Sequence, residues 1–293
     1  MLRIENVSKS YGDKIALKNV SFNIPEASTF GLLGPNGAGK STLIRIINKI
    51  LVEDHGEIFI NGEKLSAKHI SQIGYMPEER GLYKKMKVGE HVVYLARLKG
   101  LSKADAVART KVWFERMEMT DWWNKKVESL SKGMQQKVQF ISTVIHNPKL
   151  IILDEPFSGF DPVNAEQVKN ELLRLRDEGA TIMLSTHRME SVEELCDNIG
   201  MIHKSEKVIE GKISEVKRAY SKNLFEIVYK GEKLETDDSL LKHEERENGE
   251  WLMQSATTDA NAWLQNTLAK TQVVSYREVL PTVQEIFVEI AKG

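Results

Sequence analysis

Three glycines, a lysine and two hydroxyls lie within nine residues of this chain, "GPNGAGKST", Gly34 to Thr42. The stretch fits G-x-x-x-x-G-K-[ST], with a β-rich run before it and the helical pattern "LIRIINKI" after it. Gly34, Gly37 and Gly39, spaced by Pro35, Asn36 and Ala38, allow backbone N–H groups to converge on phosphate oxygens, where a Cβ would block close approach. Lys40 brings a cation to the β and γ phosphates. The Ser41 hydroxyl is of the type that ligates Mg²⁺, and the helix opening at Ser41 and Thr42 adds a favourable dipole.

Further chemistry sits at the ends of two apolar runs. "LIILDEP" ends in Asp154 and Glu155, and "TIMLSTH" ends in His187. Asp154 could hold Mg²⁺ directly or through water, and Glu155 beside it could polarise an attacking water. Without a phosphate loop upstream, the same pair would read as a turn or a helix cap. A histidine ending a parallel strand lies where open α/β sheets bind ligands, and there His187 could donate to a γ-phosphate. On its own it would be one surface histidine among seven.

Such groups need a sheet to align them. Residues 2 to 33 read as strands: "LRIENV" and "VSFNI" alternate, and "STFGLL" runs into the glycine loop. "EIFINGEKL" carries Asn61-Gly62 between β-formers, a hairpin signal. From about residue 87 the pattern turns helical, with Val88, Val92 and Leu95, then Val107, Phe114 and Met117. Met134, Val138, Ile141 and Ile145 mark another helix, which His146-Asn147-Pro148 ends. The buried run around Asp154, a helix bearing Val168, Leu172 and Leu175 up to Gly179, and the run before His187 form a parallel βαβ unit. A helical block, roughly 80 to 145, thus interrupts an α/β core. Beyond 220 the character shifts: "LFEIVY" reads as a strand, 231 to 250 as charged and turn-rich, and "LPTVQEIFVEIAKG" as amphipathic through Val283, Ile286, Phe287 and Ile290. Residues 222 to 293 are expected to form a small α+β appendage.

At 293 residues there is room for one large domain and a smaller one. Composition is that of a soluble globular protein, 41% hydrophobic and 28% charged, and a net charge of −1 offers no basic field for nucleic acid. The single cysteine, Cys196, excludes an internal disulfide, suits a reducing cytosol and reads as a small core residue. No apolar run reaches the roughly 18 residues of a membrane span. The start, "MLRIENVSKSYGDK", lacks the apolar centre of a signal peptide.

Taken in order and spacing, the glycine loop, "LSKGM", "LIILDEP", "SGFDP" and "LSTH" resemble the ATP-binding subunit of ABC transporters over residues 1 to 220. The appendage, "GYMPEERGLY" and "LSKGMQQK" are similar to the bacterial ABC-2 type exporters of the sodium- and drug-efflux group. This resemblance implies a P-loop NTPase (RecA-like) α/β core with an antiparallel β subdomain and a helical subdomain, followed by the appendage. It matches Gly34 to Thr42 with the Walker A loop, Asp154 with the Walker B aspartate, Glu155 with the catalytic glutamate and His187 with the switch histidine. Tyr11 matches the aromatic that stacks on adenine, and Ser158 to Asp161 match the segment that touches the partner subunit. Such subunits bind ATP and Mg²⁺ as head-to-tail homodimers, each ATP held between one chain's Walker A loop and the other's signature motif.

Two departures stand out. The family's Leu-Ser-Gly-Gly-Gln is here Leu130-Ser131-Lys132-Gly133-Met134. Ser131 and Gly133 are kept, able to form an anion site at a helix N-terminus, and Ser131 also reads as a plain N-cap. Lys132 either faces phosphates or acidic groups across the dimer or is a solvated lysine. Where the family commonly has glutamine, "GYMPEERGLY" offers Glu78, which either ligates Mg²⁺ or is a solvated loop charge.

The reading that follows is an ATP hydrolase powering a separate integral membrane permease, held peripherally on the inner face of the cell membrane, with the permease docking near Val88 to Leu98. A soluble ABC ATPase acting on nucleic acid or ribosomes would be expected to carry two cassettes or a long coiled coil, and this chain has one cassette and no sustained heptads. A module that senses ATP without hydrolysis would not need Glu155 and His187. The transported substrate is selected by the permease.

Overall fold

The runs "TFGLL", "LIILD" and "TIMLS" are buried at every residue, as strands covered on both faces must be. They form the centre of the computed structural model, which describes residues 1–79, 81–235, 240–246 and 248–292, with Lys292 described by its backbone alone. Two compact units result, Met1–Ile213 and Ser214–Gly293.

In the first unit, β1 (Leu2–Tyr11) and β2 (Lys14–Ile24) pair antiparallel. They are followed by β3 (Thr29–Leu33) and α1 (Lys40–Ile47). Next come β4 (His55–Ile60) and the short β5 (Glu63–Lys64), joined through Asn61 and Gly62, both at positive φ as the hairpin requires. The antiparallel sheet β2-β1-β4-β5 is the expected β subdomain. β6 (Ile73–Met76) returns to the core.

The helical segment holds α2 (Val88–Leu98), α3 (Lys103–Arg116) and α4 (Lys132–Val144). Then β7 (Leu150–Asp154), α5 (Pro162–Asp177) and β8 (Thr181–Ser185) make the parallel βαβ unit. α6 (Met189–Leu195), β9 (Asn198–His203) and β10 (Glu206–Lys212) complete it. The second sheet runs β10-β9-β3-β8-β7-β6, parallel except for the edge strand β10. β8 lies between β3 and β7, so the three strands that lead into the glycine loop, the acidic pair and His187 end side by side.

Two details of the helical segment differ from the sequence pattern. Leu95 is only partly buried and lines a surface groove of about 380 Å³ with Tyr75, Pro77, Leu82, Leu98 and Gln139. On α3, Ala106 and Thr110 are buried and Val107 only partly so; Thr110 can be buried because its hydroxyl donates to the carbonyl of Ala106 at 2.6 Å. Cys196 is buried against the core, its Sγ within 3.1 Å of where a Cβ on Gly31 would stand.

α7 (Ile213–Ala219) leads into the second unit. This unit contains β11 (Leu224–Lys230), β12 (Leu240–Glu245), β13 (Glu250–Ala256), α8 (Ala260–Leu268), β14 (Gln272–Glu278) and α9 (Val283–Lys292). Its sheet, β12-β13-β11-β14, buries Ile227, Tyr229 and Met253, against which the partly buried Trp263 and Leu264 of α8 pack. The stretch 231 to 250, expected to be turns, contains β12; part of that stretch lies outside the described residues. Among the described residues β12 is an edge strand paired only with β13, so its "LLKHEE" keeps charges without burying them. No helix among the described residues is long and apolar enough to cross a membrane.

Candidate functional site

Gly34 opens the loop after β3 at φ 147°, where a Cβ would stand 2.2 Å from the Ile202 carbonyl of β9. Gly39, at φ 115°, passes so close to β2 that a Cβ would lie 2.3 Å from the carbonyl of Ala16. Neither position admits another residue without moving the sheet. The loop then enters α1, whose Leu43, Ile44, Ile46 and Ile47 are buried and contribute about 1.5–3 kcal/mol each by leaving water. That anchorage fixes the first turn, where the N–H groups of Lys40, Ser41 and Thr42 have no carbonyl a turn earlier to bond. The result is a cradle of donors at a helix N-terminus, an arrangement suited to phosphate.

The Lys40 ammonium lies on its own loop, donating to the carbonyls of Gly34 at 2.6 Å and Pro35 at 3.1 Å. Burial pulls its pKa below the usual lysine value, and the charges of Asp154, Glu155 and Glu78 oppose that fall. Lys40 is therefore a cation that feels the charges of three carboxylates. Ser41 donates to Asp154 Oδ2 at 3.4 Å, bringing the two expected metal ligands from separate elements to one point. Burial, reinforced by the charges of Glu78 and Glu155, raises the Asp154 carboxyl above the ordinary range. A buried carboxylate crowded by two others is short of positive charge, and with the Ser41 oxygen beside it this donor set fits Mg²⁺. Glu78 is exposed, yet its charge reaches both Asp154 and Lys40.

Glu155 turns away from β7 with φ 52°, the left-handed region, its N–H held by the carbonyl of Ser185 at 2.8 Å. For a non-glycine residue that conformation costs roughly 1–2 kcal/mol. It carries the carboxylate across to the end of β8. There Oε1 lies 2.9 Å from His187 Nδ1, and Oε2 accepts from the Thr186 hydroxyl at 3.2 Å. A carboxylate can only accept, so Nδ1 carries the proton and Nε2 is the free nitrogen. His187 is 75% exposed in its side chain. A second donation, from Nε2 to a phosphate, would require the imidazolium.

Ser131 is the N-cap of α4: its Oγ accepts from the Met134 N–H at 3.3 Å. Lys132 is exposed at the first residue of the helix, and Gly133 lies where a Cβ would approach the carbonyl of Gly159 to 3.3 Å. Asp161 is likewise an N-cap, of α5, accepting from the Asn164 N–H at 2.9 Å. Tyr11 ends β1, 46% exposed, across a tight turn from Lys14. Within one chain, then, the structure brings Ser41 to Asp154 and Glu155 to His187, with the charges of Lys40 and Glu78 acting on Asp154. Ser131 and Asp161 take up capping roles on their own helices.

Sequence reasoning missed three polar residues here. Thr186 precedes His187 and was passed over as part of an apolar run. Gln136 and Gln139 sit on the buried side of α4. The Gln136 amide donates to the Pro156 carbonyl at 3.2 Å and the Gln139 amide to that of Pro77 at 2.8 Å, tying this helix to the segments that follow Glu155 and precede Glu78. Two glutamines breaking the apolar face of "MQQKVQFI" were the available signal.

The family described as ABC transporter matches residues 17–158, and that described as ATP-binding protein DrrA1-3-like, C-terminal domain, matches residues 211–291. The chain is 51% identical over 222 residues to the uncharacterized ABC transporter ATP-binding protein YhaQ of Bacillus subtilis (strain 168), covering 76% of this chain and 74% of that one. It is 36% identical over 214 residues to the linearmycin resistance ATP-binding protein LnrL of the same organism, covering 72% and 69%. A solved ATP-binding subunit of an ABC transporter superposes with a TM-score of 0.71 at 30% identity, over 75% of this chain and 93% of that one. The dimeric post-hydrolysis state of the cassette MJ0796, bound to ADP and Pi, superposes with a TM-score of 0.66 at 27% identity, over 73% and 99%.

Proposed function

The chain belongs to the ABC transporter ATP-binding proteins and is an ATP hydrolase, and from that premise we propose that it powers a separate membrane permease that exports its substrate. The observation that carries the reading is the meeting of Ser41 with Asp154 beside a glutamate held by His187. These are the parts of a hydrolytic centre, and a module that only senses nucleotide has no use for the last two.

In the proposed mechanism the α1 N-terminus and Lys40 bind the β and γ phosphates, and Tyr11 stacks on the adenine. Ser41 and Asp154 would hold Mg²⁺, with Glu78 at its margin; when bound, the ion neutralises phosphate charge. Glu155 takes a proton from water as the water oxygen bonds to the γ-phosphorus and the bond to the β-bridging oxygen breaks, leaving ADP and phosphate. Ser131 and Gly133 of a second copy close over the γ-phosphate, with that copy's Ser158 to Asp161 at the seam. Hydrolysis reopens the pair and the permease follows.

The permease is proposed to seat a cytoplasmic helix in the groove lined by Leu82, Leu95, Leu98 and Gln139, beside the exposed Tyr83 and Tyr94. Its attachment there would place this chain at the inner face of the membrane. Export is proposed because LnrL is named for resistance to linearmycin. In native membranes, Leu98→Arg should release the chain into the soluble fraction while phosphate release by the purified protein stays at the wild-type rate. Retention of the variant on membranes would refute this docking site.

A further inference from the structure

The Thr186 hydroxyl makes two bonds that together fix its direction. It accepts the N–H of Arg188 at 3.1 Å and lies 3.2 Å from Glu155 Oε2. A hydroxyl has one proton, and with an amide donating to its oxygen the proton is left to point at the carboxylate. Thr186 is 2% exposed, so neither bond competes with water. The other carboxylate oxygen, Oε1, is held from the exposed His187 ring. The two oxygens of Glu155 are therefore not equivalent: one is bound to a buried, directed donor and the other to a side chain free to swing away.

We infer that Thr186 is a positioning residue that clamps Oε2 of Glu155 and assigns Oε1 to the attacking water. The inference rests on Glu155 being the residue that receives the water's proton. The left-handed backbone at Glu155 sets where its side chain starts, and the Thr186 bond sets how the carboxylate is turned. With Oε2 fixed, the carboxylate plane is set before nucleotide arrives, and release of Oε1 by His187 frees the lone pair that accepts the proton.

The test compares Thr186→Val, Thr186→Ser and Glu155→Gln in steady-state phosphate release with Mg-ATP. Thr186→Val should lower kcat roughly ten- to a hundredfold, as expected for one lost hydrogen bond to a charged group. KM for ATP should stay within about twofold, and Thr186→Ser should restore kcat. A wild-type kcat in Thr186→Val would overturn the inference. So would a loss that Ser does not rescue, which marks a packing role. Should the Val variant fail to fold, Thr186→Ala takes its place, because the backbone bond between Glu155 and Ser185 does not involve the side chain. Full turnover in Glu155→Gln would instead overturn the assignment of Glu155, whereas a dead Glu155→Gln beside an active Thr186→Val sinks the clamp alone.

Discussion

Replacing Ser131 with aspartate separates the two roles this residue is given. As an N-cap its hydroxyl accepts one N–H, from Met134 at 3.3 Å, a long bond for the type. Ser131→Ala should therefore cost toward the low end of about 0.5–2 kcal/mol. Aspartate caps a helix as well as serine does, and its charge gains about 0.3–1 kcal/mol at the N-terminus. Ser131→Asp should fold with wild-type stability or slightly more. Across the dimer the outcome reverses. A carboxylate about 4 Å from a triphosphate oxygen repels it by about 4 kcal/mol at an effective dielectric of 20. That corresponds to roughly a thousandfold loss of the closed pair. Urea unfolding gives the first quantity, phosphate release with Mg-ATP the second, and binding of a fluorescent nucleotide to the monomer serves as the control, which should not change. A Ser131→Asp protein that turns over at the wild-type rate would make this residue a helix cap and nothing more.

Other outcomes follow from buried groups. His91 in α2 is fully buried with both ring nitrogens unbonded, and burial lowers its pKa from 6.5 to about 4. Its unfolded form binds the proton first, so stability is complete above pH 6.5 and falls as pH drops toward 4, by about 2 kcal/mol at about pH 5. His91→Phe should remove that slope in urea melts, and an unchanged slope would show that other groups set the acid limit. Asp154 has its pKa raised by burial, so its folded form binds the proton more tightly and stability declines as pH rises through the shifted value. Asp154→Asn should therefore raise the nucleotide-free melting temperature at neutral pH while abolishing phosphate release; a lower melting temperature would contradict the account.

Much of this arrangement is readable from residues in series. The βαβ unit from Leu150 to Ser185 announces itself because strands buried on both faces must be apolar throughout. The glycine loop does so because close approach to Ile202 and Ala16 leaves glycine no substitute at two positions. What escapes is whatever depends on neighbours distant in sequence. β12 keeps its charges because it lies at an edge, a property of sheet order rather than of "LLKHEE". Gln136 and Gln139 look like interruptions of a helix face until the carbonyls of Pro156 and Pro77 are seen to receive them. Thr186 is a β-branched residue in a β-rich run, and only the left-handed turn at Glu155 shows that its hydroxyl has a carboxylate to hold.

The central claim is a head-to-tail pair that traps ATP between one chain's glycine loop and the other's Ser131. Its most direct measurement is the size of Glu155→Gln in Mg-ATP, taken beside phosphate release by the wild type. A dimer is expected that forms with Mg-ATP and disperses when the nucleotide is removed, together with measurable release by the wild type. A Glu155→Gln protein that stays monomeric in saturating Mg-ATP, beside a wild type that hydrolyses it, would contradict the pair and leave Ser131 as the cap of its own helix.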